Sequence, residues 1–294
     1  MAGTAHNAQL EKLSTGHGTL EGPLWHPGGG LLFADATLGG VRSLQGDGNV
    51  RDVVLHRRGI GGLVLHEDGG IVIGGRNIAI KRDIAEGDSP TIVLLDNDPG
   101  NDIVGFNDMA VDAAGRIYVG SLAFVATEAR SGKTGSLFVI DLDGTARTLA
   151  DDVQLTNGLG FSPDGRVLYH SDSMRHVVYA YDVLDNGDVG PRRTFIESGE
   201  AMPDGLVVDS AGTVWVALPH SGTVTGFDPS GRPLGRHVID EPMVTSMCFG
   251  GPDLCDFYIV SGSEHSGSER AGSIYRVRAA VPGQPRNDVR VRYA

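Results

Sequence analysis

The sequence predicts an all-β fold, a six-bladed β-propeller of four-stranded blades, and two observations predict it. The first is a recurring motif whose clearest copy is residues 202–217, MPDGLVVDSAGTVWVA. An acid precedes a glycine, an apolar run follows, and a polar turn leads into a second run of β-formers, which reads as two antiparallel strands. Copies begin near Glu21, Gly61, Asn107, Asn157, Asp204 and Thr245, about 40–50 residues apart, the period of a propeller blade. The second is composition. The 294 residues include 44 glycines and only 6% aromatics, as a chain of many tight turns requires, and nothing reads as helical beyond a turn or two.

Taken in order, residues 9–16 form a leftover strand, expected to complete the last blade and lock it to the first. Blade one runs over 21–54, with strands near 31–34 and 40–44. Blade two (61–95) has strands at 71–73 and 77–81. Blade three starts at Asn107 and holds the longest interruption, 122–134, before a strand at 135–140. A long loop within a tight repeat is more often functional than accidental. Blade four is the most regular, with strands near 159–162, 167–171, 176–182 and 192–196. Blade five adds strands at 222–228 and 236–239, and blade six ends near Val277. The whole chain reads as one domain, with residues 282–294 as a surface appendage lacking a repeat partner.

A formal net charge of −13 argues against nucleic acid or an anionic membrane as partner, since both need a basic face. Cys248 and Cys255 are too few for a disulfide framework. There is no charged-then-apolar leader and no run of 18 apolar residues, so cytoplasmic residence is expected. No nucleophile elbow, Walker or Rossmann pattern occurs in context.

The repeat also places chemistry. The first strand of each blade lines the channel, so equivalent positions form a ring. The position before the motif glycine holds Glu21, Gly61, Asn107, Asn157, Asp204 and Thr245. Gly61 and Thr245 indicate that small neutral residues fit there, so four oxygen-bearing side chains at one slot are not a structural need. Such a set suits one hard divalent cation: Ca²⁺ first, with Mg²⁺, Mn²⁺ and Zn²⁺ as the other candidates. The cation would polarise a carbonyl and acidify water, with Asp204 or Glu21 as general base. Loops joining second and third strands should form the mouth. They carry Asp35, Arg76, Asn77, residues 122–134, Asp172, Ser173, His220, Glu264 and His265, with Arg76 and His220 as candidate substrate-binding residues. Trp25 and Trp215 are expected in the core.

The segments EGPLW, FNDMAVDAAGR, TNGLGFSPDGRVLY and MPDGLVVDSAGTVWVA together resemble the blade motifs of the SMP-30/gluconolactonase/LRE (regucalcin) family, over about residues 20–278. The resemblance implies a six-bladed propeller with one divalent metal in the channel and a lactone hydrolase. It implies Glu21, Asn157 and Asp204 as metal ligands, with Asp204 also the general base. Asn107 matches a residue contacting substrate or metal-bound water, and is expected to donate a hydrogen bond to the oxyanion. One departure bears on substrate: sugar-lactonase members carry an arginine where this chain has Gly105. The lost multi-donor fork disfavours a polyhydroxy sugar lactone and favours a less polar lactone or ester. The expected function is a metal-dependent lactonase acting on a small molecule. The alternatives are a metal-independent isomerase or synthase of the strictosidine-synthase-like type, and a non-enzymatic Ca²⁺-binding propeller.

Overall fold

The predicted hairpins pair as antiparallel strands in a computed structural model that describes residues 10–28, 30–84, 91–124 and 132–293. β1 (Glu11–His17) precedes the repeats. Blade one is β2 (Leu20–His26), β3 (Gly30–Asp35), β4 (Val41–Leu44) and β5 (Val50–Val54); blade two is β6 (Leu63–Leu65), β7 (Ile71–Ile73), β8 (Ile78–Lys81) and β9 (Thr91–Leu95). Blade three comprises β10 (Gly105–Val111), β11 (Ile117–Leu122), β12 (Gly135–Ile140) and β13 (Ala146–Val153). Blade four comprises β14 (Thr156–Phe161), β15 (Val167–Asp172), β16 (Val177–Asp182) and β17 (Arg193–Glu197). Blade five is β18 (Leu206–Val208), β19 (Val214–Leu218), β20 (Thr223–Phe227) and β21 (Pro233–Val238). Blade six is β22 (Val244–Gly250), β23 (Asp256–Ser261) and β24 (Gly272–Arg278), and β1 is its outermost strand.

The β1–β24 pairing, from Glu11 opposite Arg276 to His17 opposite Gly272, closes the ring as expected. The only helical elements among the described residues are two 3₁₀ turns, Pro99–Asn101 and Ser173–Arg175. Among the described residues no helix is long and apolar enough to cross a membrane.

Burial grades outward. β7 is apolar and buried along its length, because it has a neighbouring blade on each face. Outer β13 is exposed or half-buried at every residue but Val153. The core lies between blades: Val64, Val72 and Ile80 of blade two pack with Met109, Ile117 and Val119 of blade three in one cluster. Trp25 is half-buried, stacked on Tyr258 at 5.8 Å between centroids. Trp215 is also half-buried and donates its indole N–H to Asp209 Oδ2 at 3.1 Å.

The C-terminal segment departs from the expected surface appendage. Residues 282–293 cross the end of the channel where the inner strands finish, and they touch every blade. Arg286 donates to Trp25 O in blade one, at 3.1 Å. Val289 exchanges backbone bonds with Leu65 and Glu67 of blade two (2.8 and 2.9 Å), and Arg290 N donates to Gly115 O of blade three at 2.9 Å. Gln284 Nε2 bridges Phe161 O of blade four (3.0 Å) and Val208 O of blade five (3.1 Å). Gly283 N reaches Leu254 O of blade six at 2.8 Å. Val289 and Val291 are fully buried, while Arg290 and Arg292 between and after them face solvent. Truncating Val289 or Val291 to Ala should therefore lower unfolding free energy by about 2 kcal/mol each, measured by denaturant titration. A true appendage would give losses within about 0.5 kcal/mol.

Candidate functional site

The site lies at the opposite end of the channel, where the inner strands begin. In four blades the pairing of first with second strand slips there. The slip falls between Glu21 and Leu24, Phe106 and Met109, Thr156 and Leu159, and Val244 and Ser246. Each slip adds one residue to the inner strand, a bulge that re-aims side chains. In blade five Asp204 and Gly205 both bond to Ala217, at 2.9 Å each. Glu21, Asn107, Asn157 and Asp204 thus sit at or beside irregularities of their strands.

The glycine that follows the ring residue in four of the blades has a steric cause. A Cβ at Gly158 would lie 2.3 Å from Leu206 N, and one at Gly205 would lie 2.4 Å from Ser246 Oγ. Blade-to-blade bonds run through the same places, Gly158 N to Asp204 O (3.2 Å) and Gly205 N to Thr245 O (2.9 Å). Gly61 also has a reason to be glycine. A Cβ there would stand 1.8 Å from Asn107 Oδ1, so its space belongs to the Asn107 carboxamide. A small residue fits there, as expected, and its smallness makes room for Asn107.

The two carboxamides are joined. Asn107 Nδ2 donates both to Thr156 O (2.8 Å) and to Asn157 Oδ1. Asn157 Nδ2 donates to Ser173 Oγ at 2.7 Å. Both Asn107 donors are thereby used, leaving only its oxygen for a ligand. The expected hydrogen bond from Asn107 to an oxyanion does not fit this arrangement.

Three carboxylates share the site. Asp204 is buried and Glu21 half-buried. Burial, then the charges of Asp204, Asp108 and Glu264, hold Glu21 well above the usual carboxylate range. Asp204 is likewise raised, by burial and then by Asp108, against the pull of the Gly205 N–H. Burial pushes Asp108 up to about 7. Asp108 is the functional candidate that sequence reasoning missed, although a signal was present. The slot after the ring residue holds glycine in four blades (22, 62, 158, 205) and an acid only here.

Among the described residues no lysine or arginine forms an ion pair with these three acids. Uncompensated buried carboxylates beside carboxamide oxygens are a donor set that fits a hard divalent cation. Among the described residues no three His, Cys, Asp or Glu side chains gather tightly enough to chelate a metal by themselves, so a ligand set here would draw on other oxygens as well, the carboxamides among them.

Residues expected at the mouth divide into two groups. Asp35 and Asp172 are fully buried and act as braces. Asp35 accepts from Gly18 N (3.0 Å), Leu38 N (2.8 Å) and Arg42. Asp172 accepts from Gln154 N (2.9 Å), Leu155 N (3.0 Å) and Arg175. Asn77 Oδ1 accepts from Arg57 at 2.8 Å. Arg76 is exposed, its Nε 3.4 Å from Asn97 Oδ1. His220 is exposed with φ +67°, and its ring centroid lies 5.0 Å from that of His265. Glu264 accepts from Thr19 Oγ1 at 2.5 Å. Of the 122–134 loop, residues 125–131 lie outside the described residues. A side chain at Gly105 would be tight, its Cβ lying 3.0 Å from Gly75 O.

Two outcomes follow from this geometry. Gly61→Ala should destabilise the protein by about 1–3 kcal/mol by overpacking, and Asn107→Ala in the same chain should relieve part of that loss, read by denaturant titration. The raised acids set a pH dependence. A carboxyl that ionises near 3.8 when unfolded but near 7 when folded, as for Asp108, makes the folded state bind more protons between those values. Stability of chelator-treated protein should then fall as pH rises through that window. Asp108→Asn should raise the chelated protein's Tm at pH 8 and leave it nearly unchanged at pH 4.

Residues 19–263 match the family described as SMP-30/Gluconolactonase/LRE-like region. The chain is 33% identical to pentonolactonase XacC of Haloferax volcanii over 288 residues, covering 92% of this chain and 95% of that protein. It is also 33% identical to a 6-deoxy-6-sulfogluconolactonase of Pseudomonas putida, over 90% of this chain and 92% of that one. In fold it is similar to a luciferin-regenerating enzyme, with a TM-score of 0.85 at 23% identity, covering 96% of this chain and 99% of the other. With a match across most of its blades and relatives aligned nearly end to end, the chain belongs to the SMP-30/gluconolactonase/LRE-like family.

Proposed function

We propose that this protein is a divalent-cation-dependent lactonase whose site is the acid cluster at the channel mouth. The observation that carries the reading is the set of three carboxylates raised by desolvation, Asp204 buried and Glu21 and Asp108 half-buried, without a cationic partner among the described residues, in a chain whose relatives include named lactonases. Glu21, Asn157 and Asp204 would hold the cation, Ca²⁺ being favoured by the all-oxygen donors. When bound, the cation supplies Lewis-acid polarisation of the lactone carbonyl and lowers the pKa of water.

The chain's own residues do the rest. Asp204 accepts a proton from the attacking water, whose oxygen bonds to the acyl carbon. The bond from that carbon to the ring oxygen breaks, and the proton passes from Asp204 to the released alkoxide oxygen, giving the hydroxyl of the hydroxy acid. Asn107 takes part through Oδ1, as an acceptor that orients an O–H. Arg76 and His220 contact substrate from the rim, where both are exposed.

The substrate is proposed to be a lactone or ester with few hydroxyls. Gly105 carries no side chain, so no guanidinium is presented from that position. The relatives' names are those of sugar lactonases, and both substrate types belong in the assay.

Purified protein should open simple γ- and δ-lactones faster than gluconolactone, followed with a pH indicator. Exhaustive chelation should remove the activity and Ca²⁺ or Mn²⁺ restore it. Asp204→Ala should lower kcat by about 10²–10⁴-fold and weaken cation binding. Activity that survives chelation overturns the cation's role. Tight Ca²⁺ binding with no turnover of any lactone or ester identifies a binding protein instead.

A further inference from the structure

We infer that Ser173 is a positioning residue that fixes which end of the Asn157 carboxamide faces the channel. The inference rests on the cation reading above for its consequence, but the geometry stands by itself. Ser173 is 2% exposed and opens the 3₁₀ turn Ser173–Arg175. Backbone bonds hold its place: Ser173 N donates to Leu155 O at 3.0 Å, and His176 N closes the turn on Ser173 O at 3.1 Å. The brace at Asp172 ties the same turn to the residues leading into β14.

From that fixed point the hydroxyl does two things at once. It accepts from Asn157 Nδ2 at 2.7 Å and donates to Pro203 O at 2.5 Å. A hydroxyl has one proton, and the Pro203 carbonyl can only accept, so the Ser173 proton points to Pro203. The Asn157 group facing Ser173 must then be a donor. Its NH₂ is held on the serine side and its oxygen on the side of Asn107, whose Nδ2 donates to it. Pro203 immediately precedes Asp204, so one hydroxyl links the carboxamide of blade four to the segment carrying the acid of blade five.

Without the hydroxyl, both amide orientations become available. The flipped one turns two N–H donors toward the Asn107 donor and toward any cation. Outer partners of metal ligands typically contribute about 10–100-fold in affinity or activity. Ser173→Ala should weaken Ca²⁺ binding, measured by calorimetry, by about that factor. Ser173→Thr, which keeps the hydroxyl, should recover most of it. Because Ser173 acts through Asn157, adding Ser173→Ala to Asn157→Ala should cost little more than Asn157→Ala alone.

The orientation is read separately in chelated protein, from the side-chain amide resonances of Asn157. In the parent these should be shifted and protected from exchange, and in Ser173→Ala they should move to solvent-like values while the backbone spectrum and Tm hold. An Asn157 amide that does not move in Ser173→Ala, losses of affinity that add in full, or a Ser173→Thr no better than Ser173→Ala would each overturn the inference. A parent protein that binds no divalent cation would overturn the cation reading instead, and the amide resonances would still decide the role of Ser173.

Discussion

Six inner strands converge on one axis, and the room they leave there governs the rest of the molecule. The blades meet so closely that a Cβ after Asn157 would strike the backbone of blade five, and one after Asp204 would strike Ser246 of blade six. Glycine at these slots permits the approach. The same crowding forces an extra residue into the inner strands, so that the ring side chains turn out of the strand register and toward the channel. Packing at the axis and presentation of the polar ring are therefore one event. A side chain large enough to fill a glycine slot would separate two blades and misdirect a functional group.

What the ring presents is held in tension. Glu21, Asp108 and Asp204 repel one another in a partly dry setting, and proton uptake or a bound cation are the two ways to relieve that repulsion. The carboxamides beside them do not share the ambiguity. Asn107, Asn157, Thr156 and Ser173 form a continuous run of hydrogen bonds from blade three to blade five. It has no charge to titrate, so its geometry persists across the pH range in which the acids change. Thr156 is itself backed by His170, whose Nε2 lies 2.7 Å from its hydroxyl. Burial pushes that imidazole down to about 3, which keeps it neutral.

Much of this was legible in the sequence because a propeller repeats. Strand positions followed from runs of β-formers between glycine turns, and the ring followed from one slot read across six copies. The leftover segment before Glu21 became β1 for the reason expected, that an incomplete last blade needs an outer strand. Other features were hidden because they depend on distance through space. Asp35 and Asp172 read as mouth residues by loop position, yet each turns inward to take a backbone N–H from the segment that leads into the inner strand of its blade. The hydrogen bonding of Asn107 was hidden because a single sequence does not reveal where its two amide protons go. The tail was misread for a subtler reason. Its run of arginines suggests a solvated face, whereas Val289 and Val291 alternate with Arg290 and Arg292 in the period of a half-buried strand.

That tail changes what kind of object the ring is. A repeat array with free ends loses order from its terminal units inward, each step breaking one interface. Here β1 and β24 join the first-made strand to the last blade, and residues 282–293 lace the six units together from beneath like the spokes of a wheel. Splaying one seam, such as that between blades two and three, must also strip the backbone bonds that Val289 and Arg290 make to both sides. No blade can fray by itself, so loss of structure in any one of them should be communicated to the whole hoop.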